Sequence, residues 1–213
     1  MNVFTVFLAL SFLYVCANGQ DKDWTKLTLK SGAIRGRKVV TARNTTAFLF
    51  QGIPFAEPPT GDLRFRAPVA KKAWKGELLT NDYKFTCLFT TIMVKDDPMA
   101  RNMSEDCLHM NVFTTEKCLD KKNCPVLYYI HGGSWNFDSP FLFADDFLID
   151  NYQSRDIVLV TLTYRMGSFG FFNTVKKSSA DKNLGLLGQS CHMSVCCERL
   201  RYSVVHVESG RMN

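Results

Sequence analysis

The feature that most constrains the fold is a pair of short apolar runs separated by a segment with helical spacing. Residues 125–130 and 157–163 are rich in Val, Leu, Ile and Tyr, and the apolar residues of segment 138–150 between them recur at helical intervals. Ser139 and Pro140 stand where they could open that helix. Two apolar strands flanking a helix form a βαβ unit, which requires a parallel sheet covered on both faces. The sequence therefore predicts an α/β fold.

Further strand candidates precede this unit. Residues 24–40 alternate loosely between apolar and polar side chains around a Ser-Gly turn, which indicates a hairpin. Residues 47–50 and 108–113 are two more candidates. Residues 51–68 contain four prolines and two glycines, too many breakers for a helix or a central strand, so we expect a long loop there.

The N-terminus has the composition of a secretory leader. The first 17 residues carry no charged side chain, and Ala17 and Gly19 place small side chains at the two positions that a signal peptidase reads. We expect residues 1–19 to be a signal peptide, which predicts a secreted protein or one of the endoplasmic reticulum lumen. An uncleaved anchor is the weaker interpretation, because the apolar stretch is shorter than the roughly 18 residues of a spanning helix. Membrane association is left open.

Cysteines and sequons agree with an oxidising compartment. Of eight cysteines, only Cys16 lies in the predicted leader. Seven remain, so at least one thiol stays free, pairs between chains or marks a segment that did not evolve with the rest. Cys118 and Cys124 could close a small loop. Asn44 and Asn102 each begin an Asn-X-Ser/Thr sequon and are candidate glycosylation sites.

Charge and metal-binding residues argue against two classes of ligand. The net charge of +6 comes from 26 basic residues interleaved with 20 acidic ones, so we expect no nucleic-acid partner. Cys191, His192, Cys196 and Cys197 offer zinc-compatible atoms, but their spacing fits no structural zinc pattern. We therefore expect neither a metal nor a cofactor.

Four segments, taken together, resemble the type-B carboxylesterase and cholinesterase-like family of α/β-hydrolases. His109 and Thr163 depart from the residues usual in that family, but the order of the segments is colinear over about residues 24–187. The resemblance implies the N-terminal portion of an α/β-hydrolase fold: a mostly parallel sheet with an N-terminal antiparallel hairpin, truncated before the nucleophile elbow. The four segments are residues 50–65, 104–112, 131–135 and 160–171.

The same resemblance assigns roles to individual residues. The His-Gly-Gly-Ser-Trp segment that follows strand candidate 125–130 would form an oxyanion hole, with backbone N–H groups as donors. Cys87 would pair with Cys107, and Arg64 would form ion pairs and hydrogen bonds with Glu105 and Asp106 in a structural role. The family implies a small-molecule ester as substrate. The predicted oxyanion-hole residues are Gly132, Gly133 and Ser134.

The nucleophile, base and acid of such an enzyme are not recognisable. Ser190 stands between Gly188 and His192, where the second Gly of a Gly-x-Ser-x-Gly turn is missing. Ser209 lacks the leading Gly, although residues 204–207 before it form a possible strand. Outside the loop, His109 is the remaining histidine of the part that resembles the family. Packing in the core explains its presence more simply than a catalytic role. No His is followed by a recognisable carboxylate partner.

The sequence thus predicts three regions. After the signal peptide, residues 20–187 would be the N-terminal part of a carboxylesterase-type domain, and residues 188–213 an aberrant tail without the helix that the family has there. Without the strand that carries the serine in that family, strand 157–163 would present an uncovered apolar edge. The leading hypothesis is a secreted carboxylic-ester hydrolase family member, truncated and inactive. The alternative is a non-catalytic, cholinesterase-like adhesion or binding protein.

Overall fold

The chain folds around one mixed β-sheet. A computed structural model describes residues 24–89, 102–121, 123–173, 180–200 and 204–206, with side chains described for all of these except 195–200 and 204–206. The eight strands in these ranges are β1 (Trp24–Leu29), β2 (Gly32–Val40), β3 (Thr46–Pro54), β4 (Glu77–Leu79), β5 (His109–Thr114), β6 (Val126–Ile130), β7 (Val158–Leu162) and β8 (Val204–His206).

Helices connect or cover these strands. Short 3₁₀ turns at Gly61–Leu63 and Gln153–Arg155 complete the regular structure of the described ranges. None of the helices in them is long and apolar enough to cross a membrane. The helices are α1 (Glu116–Lys121), α2 (Asp145–Tyr152), α3 (Gly167–Phe171) and α4 (Leu184–Leu200).

The sheet order is β1-β2-β3-β5-β7-β6-β8, with β4 paired to β2. The prediction of an α/β fold with an N-terminal antiparallel hairpin is confirmed, since β1 pairs antiparallel with β2. The sheet is mixed rather than mostly parallel. Antiparallel pairing prevails because β1 to β3 are joined by reversing turns and β5 lies antiparallel between β3 and β7. Parallel pairing is limited to β6 with β7 and β8, and to β4 with β2.

The predicted βαβ unit consists of β6, α2 and β7. Its two strands are direct parallel neighbours, with Val126 opposite Val158 and Ile130 opposite Leu162. The expected uncovered edge at residues 157–163 is wrong, because β7 lies between β5 and β6. The outer side of β6 is itself paired with β8, which occupies three of the residues 204–207 predicted as a strand.

Two element boundaries differ from the sequence-based expectation. The helix expected over residues 138–150 begins only at Asp145. Asp138 has a φ of 89° and its carboxylate accepts a hydrogen bond from the N–H of Ser139 (2.6 Å), which makes a turn where the helix was expected to open. Asp145 and Asp146 then stand in the first turn, where negative charge is favourable.

The other differing boundary is that of β3. The strand continues to Pro54, so the first residues of the expected loop 51–68 are strand. The register of β3 against β5 shifts between Phe50 and Ile53, as in a β-bulge. Gly52 lies in this bulge with a φ of 75°, which glycine adopts easily. The Gly52 N–H donates to the side chain of Asn111 (2.9 Å), so the bulge is fixed to β5.

Residues 188–200 were expected not to continue a helix, and this is wrong: α4 runs through Leu200. An isolated Gly costs a helix about 1 kcal/mol, which burial of its neighbours can offset. His192 is fully buried, and Cys191 and Met193 pack against the main core. That residues 188–213 form an aberrant tail, distinct from residues 20–187, stays a prediction.

The core has a layer on each face of the sheet. Alternate residues of a strand point to opposite faces, so Phe50 and Leu49 belong to different layers. The smaller layer packs Leu49, Phe113 and Leu159 against Leu148 and Ile149 of α2. The larger layer lies against α4 on the other face. β6 and β7 contribute side chains to both layers, so the loops that follow them start from a sheet that is packed on both faces.

Candidate functional site

The loop after β6 forms a tight turn with an unusual backbone. Gly133, Ser134 and Trp135 have φ values of 92°, 52° and 59°, all in the left-handed region. The carbonyl of Gly133 accepts hydrogen bonds from the N–H groups of Asn136 (3.0 Å) and Phe137 (3.2 Å), which closes the turn. Glycine adopts this geometry freely, but at Ser134 and Trp135 it costs free energy, and such backbone strain is often found in functional loops.

The N–H groups at the start of this turn are available to a ligand. In the part of the chain that the structure describes, the N–H groups of Gly132, Gly133 and Ser134 donate no hydrogen bond. Gly132 and Gly133 are half-buried and Ser134 is exposed. Successive unpaired N–H groups in a turn form a concave site for an anion or a developing negative charge.

Tyr164 anchors the loop after β6 through hydrogen bonds and ring stacking. Its hydroxyl donates to the carbonyls of His131 (3.0 Å) and Gly132 (3.3 Å), and its ring stacks on His131 at 4.4 Å. Burial lowers the pKa of His131 to about 4, so this imidazole is neutral at physiological pH. At the far end of the loop, the N–H of Gly167 donates to the carbonyl of Trp135 (2.6 Å). Both anchors follow β7, the neighbour of β6.

The loop borders a cavity of about 430 Å³. This volume lies within the range of small-molecule sites. Leu186 and Gln189 of α4 also line the cavity, and Gln189 belongs to the part of the helix beyond Gly188 that the sequence did not predict. The remaining lining residues are Ile130, His131, Gly132, Ser134, Trp135 and Tyr164.

Among the residues that the structure describes, no serine nucleophile lies beside a base. Ser190 lies exposed inside α4, not in a strand-to-helix turn. No described serine hydroxyl is hydrogen-bonded to a histidine ring. Ser209 and the leader at residues 1–19 lie outside the described residues. Sequence reasoning thus located the loop, whereas its neighbours Tyr164, Leu186 and Gln189 required the fold.

His192 is unsuited to catalysis or metal binding. Its Nδ1 is hydrogen-bonded to the Tyr128 hydroxyl and its Nε2 lies 3.1 Å from the sulfur of Met110. Full burial lowers its pKa to about 3. No group of three or more His, Cys, Asp or Glu side chains able to hold a metal occurs among the residues described. The zinc-compatible cluster considered from the sequence includes Cys196 and Cys197, whose side chains lie outside the description.

The other predicted positions lie away from this cavity. Arg64 forms a two-pronged ion pair with Glu105, with both N···O distances at 2.6 Å. The structure joins Cys87 to Cys107 and Cys118 to Cys124 by disulfides. The sequon residues Asn44 and Asn102 are both exposed. His109 and Thr163, the two residues that differ from those usual in the family, are in contact. The Thr163 hydroxyl accepts a hydrogen bond from the backbone N–H of His109 (3.2 Å).

Gly133→Ala is expected to disrupt the loop, whereas Gly132→Ala is not. A Cβ on Gly133 would overlap the carbonyl oxygen of Phe137 and would require a φ of 92°, a strain of about 1–3 kcal/mol. A Cβ on Gly132 meets no atom within 4 Å. Urea unfolding of both variants checks this, with the Gly132 variant as matched control. Equal stabilities for the two variants would show that the turn is not built as described.

Comparisons with known proteins agree on one family. The sequence profile described as "Carboxylesterase family" matches residues 23–194. A carboxylic ester hydrolase of Bombus ignitus is 31% identical over 83% of this chain and 31% of its own length. The cocaine esterase of Homo sapiens is 33% identical over 84% of this chain and 33% of its own.

A solved structure gives the same result. The juvenile hormone esterase of Manduca sexta, crystallised with OTFP covalently attached, superposes with a TM-score of 0.75 at 28% identity, covering 84% of this chain and 33% of that one. The chain spans about a third of the length of the curated relatives it matches.

Proposed function

The chain belongs to the carboxylesterase family, and from that membership we propose that residues 132–134 are an oxyanion hole for carboxylic esters. The N–H groups of Gly133 and Ser134 would donate to the carbonyl oxygen of the ester. The observation that carries this proposal is a left-handed turn with unoccupied N–H groups on the wall of a 430 Å³ cavity. Trp135 and Leu186 supply apolar surface for the rest of the ester.

These 213 residues do not complete the reaction by themselves. Hydrolysis through a serine requires a nucleophile, a base that takes its proton and an acid that orients the base. The sequence contains no intact Gly-x-Ser-x-Gly. Of the histidines whose side chains are described, His192 is buried and hydrogen-bonded to Tyr128, and His131 lies in the loop itself. His109 does not line the cavity. An oxyanion donor contributes about 3 kcal/mol to the transition state, but only once a nucleophile attacks. We therefore propose that the chain binds esters without turning them over.

Hydrolysis is tested on the purified 213-residue chain. We expect no release of p-nitrophenol from a p-nitrophenyl ester above the rate in buffer, and no fluorophosphonate adduct on any serine by mass spectrometry. Turnover that an organophosphate abolishes, or an adduct on Ser190 or Ser209, would overturn the proposal of an inactive chain.

The oxyanion hole is tested by binding. Methylphosphonate has tetrahedral oxygens with negative charge, so it should shift the backbone amide resonances of Gly133 and Ser134 in an NMR titration. Gly132→Ala should keep these shifts and Gly133→Ala should lose them. The alternative of a non-catalytic adhesion protein has no need of these donors. It would be favoured if the amides of Gly133 and Ser134 did not respond in the wild-type chain.

We further propose that the protein passes through the secretory pathway and carries glycans. Two buried disulfides and two exposed sequons support this. Expressed in secretory cells, the protein should lose mass on treatment with an N-glycosidase. Asn44→Gln and Asn102→Gln should each remove the mass of one glycan. The double variant should carry no N-linked glycan. Unchanged mass of the wild-type protein after the enzyme would contradict the assignment.

A further inference from the structure

The N-terminal hairpin turns one polar side of the sheet towards solvent. α2 packs on the side of the sheet that carries Leu49, and its first residue, Asp145, pairs with Arg37 of β2 (2.6 Å). Arg37 lies opposite Leu49 in the register, so both belong to this side. Alternate residues of a strand share a side. The hairpin residues that continue this side beyond Arg37 are Trp24, Lys26, Thr28 and Arg35, all exposed, and the half-buried Ala33.

Positive charge predominates in this part of the chain. Residues 24–89 contain 12 basic and 4 acidic side chains, whereas the whole chain has 26 and 20. Lys26 and Arg35 lie opposite each other in the hairpin, and they pair with the same carboxylate, that of Glu77 in β4, at 3.1 and 3.0 Å. One carboxylate cannot neutralise two cations, so charge and N–H donors remain for an external anion.

Two further lysines extend this charge along the rim of the hairpin. Lys30 follows β1 in the turn to β2, and Lys75 stands two residues before Glu77. The N–H of Trp74 donates to the carbonyl of Ser31 (2.7 Å), so the segments that carry the two lysines are neighbours. Both lysines are exposed, and neither has an ion-pair partner among the residues described.

An exposed aromatic ring lies among these cations. Trp24 is 38% exposed at the start of β1, and the guanidinium carbon of Arg35 lies 5.1 Å from its ring centroid. A flat indole ring beside a guanidinium suits a sugar that carries a sulfate, because the ring covers the apolar side of the sugar and the guanidinium binds the anion. Trp24, Lys26, Lys30, Arg35 and Lys75 are called the cationic face below.

We propose that the cationic face binds a sulfated polysaccharide. A strand rises about 3.3 Å per residue, so Lys26 and Lys30 are about 13 Å apart along β1, and Arg35 lies about 5 Å to the side of Lys26. The cations therefore form a row that a linear polyanion can follow. Binding of this kind gains free energy from the release of counterions and weakens as the salt concentration rises.

The choice of this polyanion rests on the proposed passage through the secretory pathway. Sulfated polysaccharides are the common polyanions outside the cell, whereas nucleic acids and the anionic membrane leaflet face the cytoplasm. The cationic face shares no residue with the lining of the ester cavity. Its binding is measured on purified protein without an ester, so its failure and that of the proposed oxyanion hole are separate results.

The test measures the affinity of the full chain for heparin over a series of sodium chloride concentrations. We expect the wild-type chain to bind at about 0.15 M salt. The triple variant Lys26→Gln, Lys30→Gln, Lys75→Gln should lose at least about tenfold in affinity, and its slope of log affinity against log salt should be shallower by about two. These side chains are exposed, so the variant is expected to fold.

A second triple variant is the matched control. Lys38→Gln, Lys121→Gln and Lys182→Gln remove the same total charge from exposed lysines outside the cationic face. This variant should bind heparin within about twofold of the wild-type affinity, because salt screens charges more than about 8 Å from the bound chain.

Trp24→Ala gives a readout that charge alone would not change. It should weaken heparin binding about fivefold and leave the salt slope unchanged, because the substitution removes packing area and no charge. A measurement without variants follows the backbone amide resonances of the wild-type chain. Those of β1 and β2 should shift on addition of a heparin oligosaccharide.

Three results would overturn the cationic face itself: no binding at about 0.15 M salt, equal losses in the two triple variants, or amide shifts confined to other elements. Two more would overturn the choice of partner. Tighter binding of a single-stranded DNA with the same number of charges would indicate a nucleic acid. Binding to vesicles of anionic lipid without binding to heparin would indicate a membrane surface.

Discussion

Truncating Phe50 to alanine is expected to cost about 3–5 kcal/mol of folding free energy, a large fraction of the total for a domain of this size. Phe50 lies in β3 between β2 and β5 and is fully buried in the larger core layer. Its ring covers Gly36 so closely that a Cβ there would lie 2.7 Å from a ring carbon. The neighbouring backbones are fixed by sheet hydrogen bonds, so the cavity cannot collapse easily.

Urea unfolding followed by circular dichroism measures this loss. Phe147→Ala is the matched control, because Phe147 is 53% exposed on α2 and its truncation should change stability by less than about 0.5 kcal/mol. Phe50→Leu should fall between the two. If Phe50→Ala lost no more than Phe147→Ala, the larger layer could not be the main core.

Removing the Cys87–Cys107 disulfide by the double alanine variant is expected to cost about 3 kcal/mol in the chain-entropy model. The two residues are separated by 20 positions, and both sulfurs are buried in the core that supports β5. The bond restricts the unfolded chain, and its loss also leaves space beside Leu108 at the start of that strand.

The second disulfide supplies a control within the same chain. Cys118 and Cys124 are separated by only 6 positions, so their double alanine variant should lose about 2 kcal/mol. Comparison of denaturant midpoints for both variants, without reductant, checks the order. A larger loss for the short loop would show that packing rather than chain entropy determines the contribution of these bonds.

Much of the fold follows from local sequence periodicity. The hairpin of β1 and β2 and the parallel pair β6 and β7 are encoded by alternation or by continuous apolar runs, which act over a few residues. The loop at residues 131–135 could be located for the same reason, because it directly follows an apolar strand. These features need no knowledge of distant contacts.

The remaining features depend on tertiary contacts. Gly188 suggested the end of a helix, yet α4 continues because His192 and its neighbours are buried against the sheet. Strand 157–163 was expected to be an edge because the serine-carrying strand of the family is missing, but β5 and β6, on either side of it, occupy both of its edges. Tyr164 was missed as an anchor of the loop for a related reason: its partners lie more than 30 positions earlier in the chain.

The contact between Tyr164 and the carbonyl of Gly132 has one more consequence. The peptide group that joins Gly132 to Gly133 is planar and trans, so its C=O and N–H bonds point in opposite directions. When the Tyr164 hydroxyl holds the oxygen, it also orients the hydrogen on the far side of the same plane. The Gly133 N–H is consequently oriented in the absence of a ligand, and in the proposed oxyanion hole no rotation of the backbone would have to accompany the arrival of charge.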